Sequence, residues 1–418
     1  MNHLRRIGLV PAALLIGAGC STSHPSTVAP TTAASTTPST TASTVVPATT
    51  PAATSTTLSA GGSLPARFTV TDLSWVSATQ GWALGTAPCA HPPCTSVTHT
   101  LDGGQTWAGL PAPRAYLTGD PQTPTSTPCS VTVACVEGIR FADANNGYAF
   151  GDSSLWLTTN GGHTWTQRSA DATDALEVTH GLVVRVTHPE VGCPPGCPYR
   201  VQAAPAGSTS WQTLPAPAIS GYGATLAVEG ANLYVAAFGH TAGGAQDAHT
   251  QFLRSTDNGA HWSAFADPCG VTPSGREADT TAVSAAPGGY LAVGCTPRAT
   301  GEAGFVVLSA DAGATFGPHR GNLLTAVPAN GEQVPRIAAA TGSRLAVLVS
   351  SDTGLAITVT NDAGADWTTT HTESTPSTRQ GSFYLGFQDD TTGRAVLNPR
   401  MVLTTTDGGG HWTAFTFP

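Results

Sequence analysis

The sequence predicts an all-β fold: a seven-bladed β-propeller of four-stranded antiparallel blades, preceded by a disordered linker. Three observations predict it. The stretch "TLDGGQTW" (100–107) recurs along the chain, and the 305 residues from Trp107 to Trp412 span six intervals with a mean near 51. Short apolar stretches punctuated by Asn, Asp and Gly precede the copies, as in "GIRFADANNGYAFG" (138–151) and "FYLGFQDDTTGRAVL" (383–397). No stretch within 63–418 sustains a helical apolar period, so the segments read as strands and turns. Four strands per repeat, seven times at this period, describe a propeller.

The N-terminal elements come first. Arg5 and Arg6 precede an apolar run from Ile7 to Ile16, and "GAGC" ends at Cys20. That run is too short to cross a bilayer, so residues 1–20 read as an export signal. Small residues before the cysteine resemble a bacterial lipobox, which implies lipidation of Cys20; Gly17 stands where that pattern usually has Leu. An ordinary cleaved signal, giving a secreted protein, is the alternative. Residues 21–62 are nearly all Ser, Thr, Pro and Ala, with no charged or aromatic side chain. Such a segment cannot bury enough apolar surface to offset its ordering entropy. Fully extended, it reaches about 130 Å at ~3.1 Å per residue, a tether between a lipid anchor and a folded domain.

Residues 63–418 form the repeat domain. All 17 basic residues are Arg. Without Arg5 and Arg6 the chain carries 26 acidic against 15 basic residues, a net of −11. That balance argues against nucleic-acid binding.

The copies run in order. "TLDGGQTW" carries Asp102 and Trp107, and "TTNGGHTW" carries Asn160 and Trp165. A degenerate "PAGSTSW" ends at Trp211. "STDNGAHW" carries Asp257 and Trp262, "SADAGATF" Asp311 and Phe316, "TNDAGADW" Asp362 and Trp367, and "TTDGGGHW" Asp407 and Trp412. The Asp accepts hydrogen bonds from the backbone that follows it, Gly104 permits positive φ, the Thr106 hydroxyl closes the turn, and the aromatic packs between blades. Seven near-copies around a ring cannot all be catalytic, so Asp102 is assigned a structural role.

This pattern, Ser/Thr-x-Asp-x-Gly-x-Thr-Trp, resembles the Asp-box or BNR repeat of sialidases, sortilin-type receptors and photosystem II assembly-factor-like propellers. The resemblance covers residues 63–418. It implies the fold and leaves the function open between a binding scaffold and a glycan-cleaving enzyme.

Eight cysteines remain after Cys20, in four close pairs: Cys89 with Cys94, Cys129 with Cys135, Cys193 with Cys197, and Cys269 with Cys295. An exported chain with an even count and no C-x-x-C pair predicts four disulfides rather than a metal site. The short loops should contribute ~2 kcal/mol each and the longest ~3.5 kcal/mol. Blade topology puts all eight on the face opposite the recurrent turns, with the insertions 114–137 and 240–250. That face is where a protein or glycan partner is expected.

First strands line a propeller channel. Arg67, Arg140, Arg336 and Arg379 stand at or just before first strands of blades 1, 2, 6 and 7, which are neighbours once the ring closes. Four guanidinium groups at one mouth would suit a carboxylate or phosphate, as in the Arg cluster of sialidases. Ion pairing with nearby Glu137, Glu332 or Asp72 is the alternative. A sialidase also needs a Tyr nucleophile activated by Glu; Tyr148, Tyr222, Tyr234 and Tyr384 carry no such motif, and "PRI" at 335–337 reverses the Arg-Ile-Pro signature. No H-E-x-x-H, G-x-S-x-G or P-loop is present, and "GDSSL" (151–155) falls inside blade 2 rather than before a helix. No catalytic residue, metal or cofactor is assigned. The expectation is a non-catalytic monomer, touching the membrane only through its N-terminal lipid, with a sialidase-like glycoside hydrolase as the alternative.

Overall fold

The computed structural model divides the chain into Met1–Thr56 and Thr57–Pro418. It describes residues 61–118, 129–130, 132–168, 171–189, 197–221, 223–238, 250–272, 274–298, 302–320, 333–351, 354–374 and 384–418. The proposed signal, Cys20, Cys193 and Arg379 lie outside these residues.

Seven antiparallel sheets follow one another along the chain, each in simple strand order. Blade 1 is Thr69–Trp75, Gly81–Thr86, Thr95–Thr100 and Ala108–Leu110. Blade 2 opens with Gly138–Phe141, blade 3 with Ala172–Thr179, and blade 4 with Ala224–Glu229. Blades 5, 6 and 7 open with Ala278–Ala286, Gln333–Ala339 and Tyr384–Phe387. The chain is a seven-bladed β-propeller, as the repeat predicts. Two blades depart from the four-strand expectation. Blade 3 gains a fifth strand, Ile219–Gly221, which pairs with Cys197–Tyr199. Blade 5 has three strands, and its outer edge is met by a bridge between Val306 and Arg320 and by a single bond from the Gly317 N–H to the Leu308 carbonyl. Pro318 lies in that outer segment and has no N–H to donate, which prevents a continuous fourth ladder.

Local chemistry sets the first turns. Asp143 Oδ1 accepts the N–H groups of Asn145 and Asn146 at 2.8 and 2.9 Å. Asp389 does the same for Thr391 and Thr392, and Ser77 Oγ accepts the Gln80 N–H. These turns reverse the chain between first and second strands without a long loop.

Second and third strands are the driest. Gly81–Thr86 and Gly354–Thr360 are buried throughout, whereas the outer strand Thr166–Arg168 is exposed throughout. The described core consists of seven apolar clusters, and each is shared by two adjacent blades. Burial therefore holds the ring together at its seams, where apolar area leaves water.

Ring closure uses no exchanged strand, because blades 1 and 7 each draw all four strands from one end of the chain. The seam is side-chain packing instead. Phe68 meets Phe417 edge to face at 4.8 Å, and Trp107 lies on Phe417 at 5.7 Å. Two backbone bonds cross it, from Arg67 N–H to the Pro418 carbonyl and from Val70 N–H to the Pro399 carbonyl. Arg394, 1% exposed, donates to the carbonyls of Ala78 at 2.8 Å and Gly103 at 3.1 Å, and stacks 4.1 Å from the Trp75 ring.

Three of the four expected disulfides are formed: Cys89–Cys94, Cys129–Cys135 and Cys269–Cys295. The fourth requires Cys193, which lies outside the described residues.

Candidate functional site

The recurrent turn is a closed hydrogen-bond unit. Asp102 Oδ1 accepts from Thr100 Oγ1 at 2.8 Å and from Thr106 N–H at 2.9 Å, while Thr106 Oγ1 donates to Oδ2 at 2.6 Å. Gly104 N–H donates to Thr100 Oγ1 at 2.9 Å. The same four-residue spacing recurs at Asn160, Asp257, Asp311, Asp362 and Asp407. At Asn160 the polarity of one bond reverses, since Nδ2 donates to Thr164 Oγ1. Two successive residues take positive φ, and the second is Gly at all six sites, with φ from 77° to 96°. Gly alone adopts that conformation without strain.

These bonds also explain the turn's acidity. The His261 backbone N–H, then its ring, hold Asp257 down at about 2, and the Thr315 hydroxyl and N–H do the same for Asp311. A carboxylate so fixed is a poor general acid. Several of these turns also lock a seam. Trp82 Nε1 of blade 1 donates to the Gly161 carbonyl of blade 2 at 3.0 Å, and Tyr148 Oη of blade 2 reaches the Ser208 carbonyl of blade 3 at 2.9 Å. Arg254 of blade 4 reaches the Ala312 carbonyl in blade 5 at 3.0 Å. The turn aromatics pack the other way, onto the preceding blade: Phe316 stacks on Phe265 at 5.7 Å, and Trp165, Trp262, Trp367 and Trp412 join the preceding blade's apolar cluster.

The channel holds paired charges of both signs. Arg140 NH1 pairs with Asp72 Oδ2 at 2.7 Å, and its Nε pairs with Glu177 Oε1 at 2.9 Å. This chain of ions crosses from blade 1 through blade 2 to blade 3. It separates two cavities, both bordered by Arg140, Glu177 and Tyr384. The cavity on the recurrent-turn face has a volume of about 300 Å³ and borders on the C-terminal ends of first strands, such as Trp75 and Phe387. The opposite cavity is about 550 Å³ and borders on their N-terminal halves, including Asp72, Glu137, Asp174 and Arg336.

A second ionic group stands at this larger mouth. His188 Nε2 lies 2.9 Å from Asp174 Oδ1 and 3.4 Å from Asp152 Oδ1. Burial alone lowers the imidazole, but the Asp152 and Asp174 carboxylates overcome it and push His188 up to about 10. Burial, reinforced by Asp174, Asp152 and Asp72, pushes the Glu137 carboxyl up to about 7. Burial likewise raises Tyr384 and Tyr199.

Of the four arginines singled out in the sequence, Arg140 and Arg336 border on this one cavity. Arg336 follows Pro335 in the first strand of blade 6, and burial lowers its guanidinium. Arg67 stands elsewhere, exposed in the turn ahead of blade 1 with φ 55°. Arg140 is taken up by two carboxylates, and Asp72 comes from the neighbouring blade. Asp174, Glu177 and His188 were not singled out. The signal was present in "ATDALEVT", where two acids interrupt a strand that must line the channel. Among the described residues, no group of three or more His, Cys, Asp or Glu side chains could hold a metal ion.

Fold and disulfides together define the class: a seven-bladed propeller stapled by disulfides, as expected of an extracytoplasmic or secreted protein. No helix among the described residues is long and apolar enough to cross a membrane. No protein-family model and no curated protein matches the sequence. Solved structures do resemble the fold. An ulvan lyase of polysaccharide lyase family PL25, bound to a GlcA–Rha3S oligosaccharide, aligns with TM-score 0.54 and 8% identity over 86% of this chain and 98% of its own. YCF48 from Cyanidioschyzon merolae aligns with TM-score 0.48 and 14% identity over 82% and 95%. YCF48 bound to a D1 peptide gives 0.47 and 14% over 84% and 97%. At these identities the likeness concerns the fold alone.

Proposed function

We propose that this chain is a lipid-anchored, extracytoplasmic propeller of the Asp-box class that acts as a non-catalytic scaffold, docking a protein partner at the larger channel mouth. In this reading residues 1–20 direct export, Cys20 carries the lipid, and residues 21–62 are the tether. The six hydrogen-bonded turns support the Asp-box assignment, since carboxylate or amide, hydroxyl and Gly recur at fixed spacing. The observation that carries the function is the position of the 550 Å³ cavity. It opens on the face opposite the turns. Beside it, Cys135 precedes Glu137 by two residues, and Cys295 pairs in register with Thr280, next to the lining residue Thr281. Stapled loops around a concavity on a rigid ring form a preorganised docking surface. A photo-crosslinking side chain at Thr118, exposed beside the cavity, is expected to trap a partner in the native cell, and one at Gln105 in a turn is not. Equal trapping at both positions overturns the reading.

One observation favours a second reading. A carboxyl held at about 7 inside a ligand-sized cavity, as Glu137 is, suits a general acid. A sialidase-like glycoside hydrolase would use it, and a fluorogenic sialoside tests that directly: turnover abolished by Glu137→Gln supports it, and no turnover rejects it.

A further inference from the structure

We propose that the larger channel-mouth cavity receives a cationic side chain of a protein partner, a guanidinium or ammonium group on an aliphatic stem. This rests on the reading of that face as the docking face and names the chemistry that it recognises.

The cavity itself comes first. At about 550 Å³ it accommodates a long side chain, and Phe150, Leu176, Phe238 and Ile337 give it apolar walls for an aliphatic stem. Charge then selects the head group. Four carboxylates border on the cavity, from Asp72, Glu137, Asp174 and Glu177, against two guanidinium groups, from Arg140 and Arg336. Internal pairing accounts for most of this. Arg140 satisfies Asp72 and Glu177, and Asp174 accepts from His188 and from the Ala224 N–H. Glu137 differs. Its backbone N–H bonds to the Phe150 carbonyl, but no described residue donates a hydrogen bond to its carboxylate. It faces Asp72 from blade 1, Asp152 from its own blade, and Asp174 and His188 from blade 3, so carboxylates outnumber cations around it. An entering cation relieves that repulsion and gives the carboxylate a partner that the described residues do not supply. An entering anion meets the opposite field.

Binding is therefore linked to a proton. The cation pairs with ionised Glu137, so affinity rises as pH passes upward through about 7, while a guanidinium on the ligand stays charged throughout. Isothermal titration of the full chain with an acetylated, amidated Arg-Ala-Arg peptide tests this, with Gln-Ala-Gln and Glu-Ala-Glu peptides alongside. Only the Arg peptide is expected to bind, with affinity increasing between pH 6 and 8. Glu137→Gln should weaken it by about tenfold, the scale of one charged hydrogen bond, and should abolish the pH dependence. The pH profile of the unaltered protein needs no variant and so guards against misfolding of Glu137→Gln. Equal binding of the Arg and Gln peptides, a flat pH profile, or displacement of the Arg peptide by Ca²⁺ at equimolar concentration overturns the proposal. Trapping at Thr118 that persists after such a result would leave the docking face standing and reject only its preference for a cation.

Discussion

Replacing Arg394 by Ala removes a fully buried guanidinium that spans the closing seam. Its NH2 group donates to the carbonyls of Ala78 and Gly103 in blade 1, and the group stacks on Trp75. Charged hydrogen bonds contribute roughly 1.5–3 kcal/mol each, and a desolvated cation–π contact about 1–2 kcal/mol. The substitution also relieves the desolvation of a buried charge, which offsets part of that sum. The net loss expected is about 3 kcal/mol, a large part of an ordinary domain's ~5–15 kcal/mol. No exchanged strand compensates at this seam. Arg344→Ala is the control: its guanidinium reaches Asn361 Oδ1 and the Asp390 carbonyl at an exposed site, so about 1 kcal/mol is expected. Urea unfolding followed by Trp fluorescence reads both, with Trp75 reporting on the seam itself. A loss below about 1 kcal/mol for Arg394→Ala, or equal losses for the two variants, would refute the reasoning.

Breaking the Cys269–Cys295 bridge, which closes 26 residues, should cost ~3.5 kcal/mol, against ~2 kcal/mol for Cys89–Cys94, which closes 5; melts of the paired Ser variants compare them. His188 is raised in the folded state, so its contribution is complete below about pH 6.5 and is lost as pH rises toward about 10; His188→Gln should flatten stability over that window in urea titrations. The turn carboxylates shift the other way. Asp257 and Asp311 support the fold above about pH 4 and lose that contribution as pH falls to about 2, so Asp311→Asn should shift the acid-unfolding midpoint in circular dichroism. Ala312 holds φ 55° where three other copies have Gly, so Ala312→Gly should raise stability by up to about 1 kcal/mol in a thermal melt.

The ring was legible because its signal is repetitive and local. An Asp, a Gly and an aromatic at fixed offsets specify one turn, and the count of turns specifies the blades. The same locality made three disulfides legible from spacing. Blade 5 was not, because Pro318 interrupts an outer strand whose length no repeat encodes. The channel was legible only in part. Arg140 stood out as a charge in a first strand, yet its partner Asp72 lies 68 residues earlier and meets it through ring geometry. Glu177 and Asp174 share one strand whose burial does not alternate, so "ATDALEVT" does not say which side faces a cavity. Arg394 follows a turn and carries no signal of its own in the sequence; its burial follows from ring closure.

The account centres on one face of the ring, the mouth opposite the recurrent turns. Once crosslinking has supplied the partner, hydrogen–deuterium exchange of the complex against the free protein tests this most directly. Protection is predicted in 116–118, 135–140 and 172–177, around the larger cavity, with the turns at 102–106, 257–261 and 407–411 unchanged. Protection centred on those turns, with the larger mouth exchanging as in the free protein, would contradict it.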